Sequence, residues 1–190
     1  MPFNLPIALT WLRIFLIPFI LLLYYLPNSW VIEPVRDTVA ATVFIVAALT
    51  DWFDGWLARR LNQTSAFGAF LDPVADKLMV AAALLILLSI GRVDGVIAFI
   101  IIGREITISA LREWMAQIGA SASVAVSWLG KFKTAAQMVA IPCLLYYQDL
   151  YGVSTRLVGL VLIILAAILT VWSMLYYLRK AWPEIERRSA

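Results

Sequence analysis

The sequence predicts an all-α membrane protein: one bundle of six transmembrane helices, with residues 1–190 forming a single domain. Three observations predict it. The chain is 63% hydrophobic with a mean hydropathy of +0.90, whereas ordinary globular domains are about 45–50% apolar. Six apolar runs, at 5–27, 37–58, 71–90, 93–117, 127–148 and 153–179, are each long enough to cross a bilayer as a helix, which takes about 20 residues. Basic residues fall mainly at one set of run ends.

Each run has its own character. The first follows Met1-Pro2-Phe3-Asn4, with no Lys or Arg before Arg13. It lacks the basic n-region and small-residue cleavage site of a signal peptide and is expected to remain as a span. The second ends in Asp51 and Asp54, and the third opens on Asp72 and Asp76. The fourth carries Arg104, Glu105 and Arg112, the fifth Lys131 and Lys133 near its start, and the sixth closes on Arg179 and Lys180. The breaks between runs are too short for a second domain, and no internal repeat or low-complexity segment is present.

Alternating the runs across a membrane places Arg13, Arg59, Arg60, Lys77, Arg104, Arg112, Lys131, Lys133, Arg179, Lys180, Arg187 and Arg188 on one side and only Arg36, Arg92 and Arg156 on the other. By the positive-inside rule both termini are cytoplasmic, and the aspartates lie on that same side. Terminal cations such as Arg179 and Lys180 read as snorkelling side chains. Arg104 follows two apolar turns and reads instead as facing a polar cavity, partnered by Glu105, by an Asp of another span or by an anionic ligand.

The chain has no histidine, which excludes Ser-His-Asp chemistry, His-ligated zinc and a His general base. Cys143 is the only cysteine, so no intrachain disulfide forms and the redox compartment is not readable.

The chemistry concentrates in D-x2-D-G-x2-A-R-x8-G-x3-D-x3-D, filled by Asp51, Asp54, Gly55, Ala58, Arg59, Gly68, Asp72 and Asp76. Eight fixed positions at about 5% each give roughly 10⁻⁸ chance matches. A carboxylate within hydrocarbon costs roughly 2.5–3.5 kcal/mol, so four together call for a partner. Oxygen-only donors point to Mg²⁺, Mn²⁺ or Ca²⁺ rather than zinc. Asp51 and Asp54 share one helical face, as do Asp72 and Asp76. The short connection between them returns the chain as an antiparallel neighbour, so two helix ends can meet around a common centre with oxygens enough for two ions. A purely structural reading exists for Asp72: with Pro73 in a first turn, it would cap the third helix.

At these positions the chain resembles the CDP-alcohol phosphatidyltransferase family. The segments Asn4 to Arg13, Arg104 to Trp114 and Ser127 to Thr134 extend the resemblance over most of the chain. It implies the six-helix membrane fold of that family, a homodimer, and residence in the bacterial cytoplasmic membrane. It implies Mg²⁺ or Mn²⁺, two per active site, with Asp51, Asp54 and Asp72 as metal ligands. Asp76 would be the general base, also approaching a metal. Gly55, Ala58, Arg59 and Gly68 would border the CDP-diacylglycerol. The later segments favour sn-glycerol 3-phosphate as acceptor, over inositol phosphate, serine or phosphatidylglycerol. No nucleic-acid partner is implied.

The acceptor phosphate needs cations. Arg104 and Arg112 are the first candidates, because a guanidinium fork suits phosphate, then Lys131 and Lys133. The competing reading of Lys133 is a lysine at the interface, against anionic lipid. A cation-coupled transporter is the alternative of another class; the missing repeat symmetry speaks against it.

Overall fold

A computed structural model describes residues 5–60, 66–119 and 128–189. Among them are six α-helices and one short hairpin: α1 (Leu5–Tyr25), α2 (Glu33–Arg60), α3 (Ala66–Ser89), α4 (Gly95–Gln117), α5 (Trp128–Tyr146), β1 (Asp149–Leu150), β2 (Val153–Ser154) and α6 (Thr155–Ser189). The expected all-α class holds. Among the described residues, two helices are apolar enough to cross a membrane by length and composition alone, through Ala8–Tyr25 and Thr155–Pro183. The other four carry charged or acidic residues inside their apolar runs.

Helix boundaries follow capping and packing more than hydropathy. Asp94, with φ −72 and ψ 145, caps α4 by accepting a hydrogen bond from the Val96 N–H, satisfying one of the orphan donors of the first turn. The apolar run of the sixth segment stops near 179, yet α6 continues to Ser189. Its last turns hold Pro183 inside the helix among Arg, Lys, Ala and Glu, which favour helix, and Trp182 Nε1 donates to Glu186 Oε1 at 2.6 Å, one turn away. There Tyr177 and Ala181 bury themselves against Ile108 and Met115 of α4.

α3 starts at Ala66, so Pro73 lies inside the helix. The capping reading of Asp72 therefore fails: Asp72 is an interior residue, and its Oδ1 accepts from Thr10 Oγ1 of α1 at 2.6 Å.

α1 packs on α2 and α3, α2 on α5, α4 on α3 and α6, and α5 most extensively on α6. Phe44, Leu84, Leu87, Ile101, Ile141 and Ile163 form the centre of the main core. α5 and α6 approach closely at Gly159. A Cβ on Gly159 would lie 2.7 Å from Leu144 Cγ and 3.1 Å from the Ala140 carbonyl, so only glycine permits this contact. The hairpin before α6 pairs Asp149 with Ser154 and Leu150 with Val153. Its two central residues, Tyr151 and Gly152, have φ 50 and 81, the double positive φ of a tight two-residue hairpin turn.

Arg92, in the turn between α3 and α4, ties one end of the bundle together. Its Nη2 donates to Asp37 Oδ2 at 2.5 Å and to Glu33 Oε1 at 3.4 Å. Its Nη1 donates to the Leu145 and Leu144 carbonyls at 2.7 and 3.2 Å. The guanidinium also lies 4.2 Å from the centroid of the Tyr147 ring, and Tyr24 Oη donates to the other Asp37 oxygen at 3.0 Å. Three helices, α1, α2 and α5, and the α3–α4 turn are fixed at one point.

Candidate active site

The opposite ends of these helices hold the acidic residues. Asp51 stands near the end of α2, and Asp72 and Asp76 lie one turn apart in α3. Thr10 and Arg13, three apart on α1, present one face to both. Thr10 holds Asp72, and Arg13 Nη1 donates to Asp51 Oδ1 at 2.5 Å. The Arg13 side chain is 0% exposed, whereas that of Asp51 is 38% exposed.

Asp51 and Asp76 line one cavity of about 360 Å³, together with Ala48, Thr134 and Met138. A second, apolar cavity of about 530 Å³ continues between α2 and α5. The two share Ile45 and Met138. Thr38, Ala41, Thr42 and Ile45 give the second cavity its α2 wall, and Pro142, Cys143 and Tyr146 its α5 wall. A chamber that carries two carboxylates in a largely apolar wall thus adjoins an apolar cleft.

Asp76 Oδ1 is buried without a hydrogen-bond donor among the described residues. A buried acceptor left unmet costs about 1–3 kcal/mol, which a bound cation would remove. The donors present are carboxylate oxygens, the set preferred by Mg²⁺ or Mn²⁺. Among the described residues, however, no three acidic side chains converge closely enough to share an ion. The structure brings Asp51 and Asp76 to one cavity and leaves Asp72 on Thr10. Asp54, Gly55, Ala58 and Arg59 follow in α2, with side chains outside the described set. Gly68 falls in the first turn of α3.

Glu105 organises the basic residues. Its Oε1 accepts from Arg104 Nη1 at 3.2 Å and pairs with Lys133 Nζ. Lys133 and Arg104 are both buried, so the reading of Lys133 as an interface lysine does not hold. The expected Arg104–Glu105 pairing is present. Arg104 Nη2 also reaches Ser173 Oγ at 3.4 Å. Arg104 and Arg112 lie 5.8 and 5.4 Å from the centroid of the same Tyr177 ring. The Nε atoms of both arginines are buried without acceptors among the described residues. Lys131 lies in α5, with its side chain outside the described set.

Sequence reasoning missed Thr10, Ser173, Tyr177 and the bridging role of Glu105, and took Arg13 only as a topology marker. Thr10 and Arg13 carried a signal: they are polar residues at helical spacing inside an apolar run.

A model of the family described as CDP-alcohol phosphatidyltransferase matches residues 3–172. The chain belongs to the CDP-alcohol phosphatidyltransferase family. Among its relatives within that family is the CDP-diacylglycerol–glycerol-3-phosphate 3-phosphatidyltransferase of Shigella flexneri serotype 5b (strain 8401). The two are 52% identical over 187 residues, covering 97% of this chain and 98% of that one. The enzyme of the same description from Escherichia coli strain K12 is 51% identical over the same length and coverage. In this phosphatidyltransferase, then, the matched region includes every acidic and basic residue named above except those beyond position 172.

Proposed function

We propose that this chain transfers the phosphatidyl group of CDP-diacylglycerol to sn-glycerol 3-phosphate, giving phosphatidylglycerol phosphate and CMP in phospholipid biosynthesis. Besides the near-full-length relatives, one observation carries this reading. Arg104 and Lys133, both buried and paired with the part-buried Glu105, stand in the same bundle as the Asp51–Asp76 cavity, so cations for an acceptor phosphate and a carboxylate for its hydroxyl are both at hand. The apolar cleft adjoining that cavity between α2 and α5 suits a diacyl substrate.

Asp51, Asp54, Asp72 and Asp76 are the residues that would hold divalent cations, Mg²⁺ or Mn²⁺ and two per site. When bound, such ions neutralise the diphosphate and stabilise the departing CMP. Asp76 takes the proton from the attacking hydroxyl of the acceptor. The hydroxyl oxygen bonds to the phosphorus that carries diacylglycerol as the bond from that phosphorus to the bridging oxygen breaks, and CMP leaves with that oxygen. Arg104 and Arg112, then Lys131 and Lys133, receive the acceptor phosphate. Gly55, Ala58, Arg59 and Gly68 border the cytidine diphosphate, with the small residues allowing close approach.

All six helices would cross the bacterial inner membrane, with both termini and the active site cytoplasmic, and the enzyme would act as a homodimer. Helices with charged faces cross where those faces are turned to a polar cavity rather than to lipid. Purified protein given CDP-diacylglycerol and a panel of acceptors tests the reaction. CMP release is expected with sn-glycerol 3-phosphate and is expected to stop on chelation. Release only with inositol phosphate or serine, or full turnover after chelation, overturns the reading.

A further inference from the structure

We infer that Arg13 is a resident counter-ion of the carboxylate site, holding Asp51 in the metal-free protein and weakening the site's hold on divalent cations. The inference rests on the function proposed above, which makes Asp51 a metal ligand.

The geometry carries it. Arg13 is completely buried, and its Nη1 lies 2.5 Å from Asp51 Oδ1. A guanidinium does not lose its proton in a protein, so this charge is permanent. A buried charge needs an opposite partner, and one partner here is the carboxylate that lines the Asp76 cavity. The pair at the other end of the bundle shows what a purely structural tie looks like. In Arg92–Asp37 both side chains are buried, 7% and 5% exposed, and the arginine spends its donors on carbonyls as well as carboxylates. In Arg13–Asp51 only the arginine is sealed off; the carboxylate faces the chamber where a ligand would enter.

Two consequences follow from the charge alone. Without metal, Arg13 relieves the repulsion between Asp51 and its acidic neighbours, so the bundle tolerates an empty site. With metal, the fixed positive charge beside Asp51 repels the incoming dication. At separations of several ångströms, even water-like screening makes that repulsion worth about tenfold in affinity or more.

The test is Mn²⁺ binding without nucleotide, measured by titration on purified full-length protein, together with thermal unfolding of the metal-free form. Arg13→Gln is expected to bind Mn²⁺ at least about tenfold more tightly than the parent and to unfold at a lower temperature until Mn²⁺ is added. Arg13→Lys keeps the charge and should stay within about threefold of the parent affinity. Unchanged or weaker Mn²⁺ binding by Arg13→Gln overturns the inference. Should Arg13→Gln be recovered folded only with Mn²⁺ present, the ion has replaced the guanidinium and the inference stands. Aggregation with and without the ion overturns it. Normal acceptor-dependent CMP release by the parent, combined with an unaltered Mn²⁺ affinity in Arg13→Gln, removes this inference and leaves the proposed reaction intact.

Discussion

Two clusters of buried charge stand at opposite ends of the same helices, and they are built to different standards. Around Arg92 the donors find Asp37, Glu33 and two carbonyls of α5, and the ring of Tyr147 covers the guanidinium. Around Asp76, Arg104 and Arg112, buried oxygen and nitrogen atoms stand without partners among the described residues. Each costs about 1–3 kcal/mol. At the Arg92 end Arg36 Nε is likewise buried without an acceptor among the described residues, but the Arg92–Asp37 pair itself is satisfied, whereas the unmet atoms of Asp76, Arg104 and Arg112 leave the second end ready for polar ligands. The first end fixes how the helices meet; the second is where they can still gain interactions.

The comparison breaks most visibly at Asp76. Asp76→Asn should leave the thermal midpoint near that of the parent and reduce CMP release by roughly 10²–10⁴-fold, the contribution of a general base. Retention of activity would take Asp76 out of the base role. The mirror-image change is Arg92→Met, which strands Asp37 without its cation. Loss of one partner from a buried pair costs about 3–5 kcal/mol, so denaturation in detergent should shift markedly, while any molecules that remain folded keep their KM for the acceptor. An Arg92→Met protein as stable as the parent would mean that this end is not the fixed one.

Smaller effects sharpen the contrast. Arg104→Ala should raise the KM for sn-glycerol 3-phosphate by about 10- to 100-fold, the worth of a charged hydrogen bond, while leaving the KM for CDP-diacylglycerol nearly unchanged. An equal rise for both substrates would detach Arg104 from the acceptor. Gly159→Ala drives a methyl into Leu144 and the Ala140 carbonyl and should cost about 1–3 kcal/mol as overpacking between α5 and α6, read as a lower unfolding midpoint. No change there would show that α6 can move away from α5 without penalty.

The number and order of the helices were legible because each is an apolar run, and hydropathy reports such runs directly. Their ends were less so. α6 runs on past its apolar stretch because helix formers and contacts with α4, not hydropathy, decide where it stops. α3 begins six residues before Asp72 and carries Pro73 in its interior, so the capping reading failed. The candidate residues were legible as a pattern of charge types, which sequence carries. Their partners were not. That Thr10 meets Asp72, that Arg13 meets Asp51 and that Lys133 and Arg104 share a single oxygen of Glu105 are long-range facts of packing. Arg92 shows the same gap: counted as one more loop cation, it proves to donate to two carboxylates and two carbonyls.

Cys143 carries a practical consequence. It is the chain's sole sulfhydryl and forms part of the wall of the cleft between α2 and α5. A thiol-reactive spin label or fluorophore would therefore attach at one native position, with no other cysteine to remove first, and would report from inside that cleft on whatever fills it.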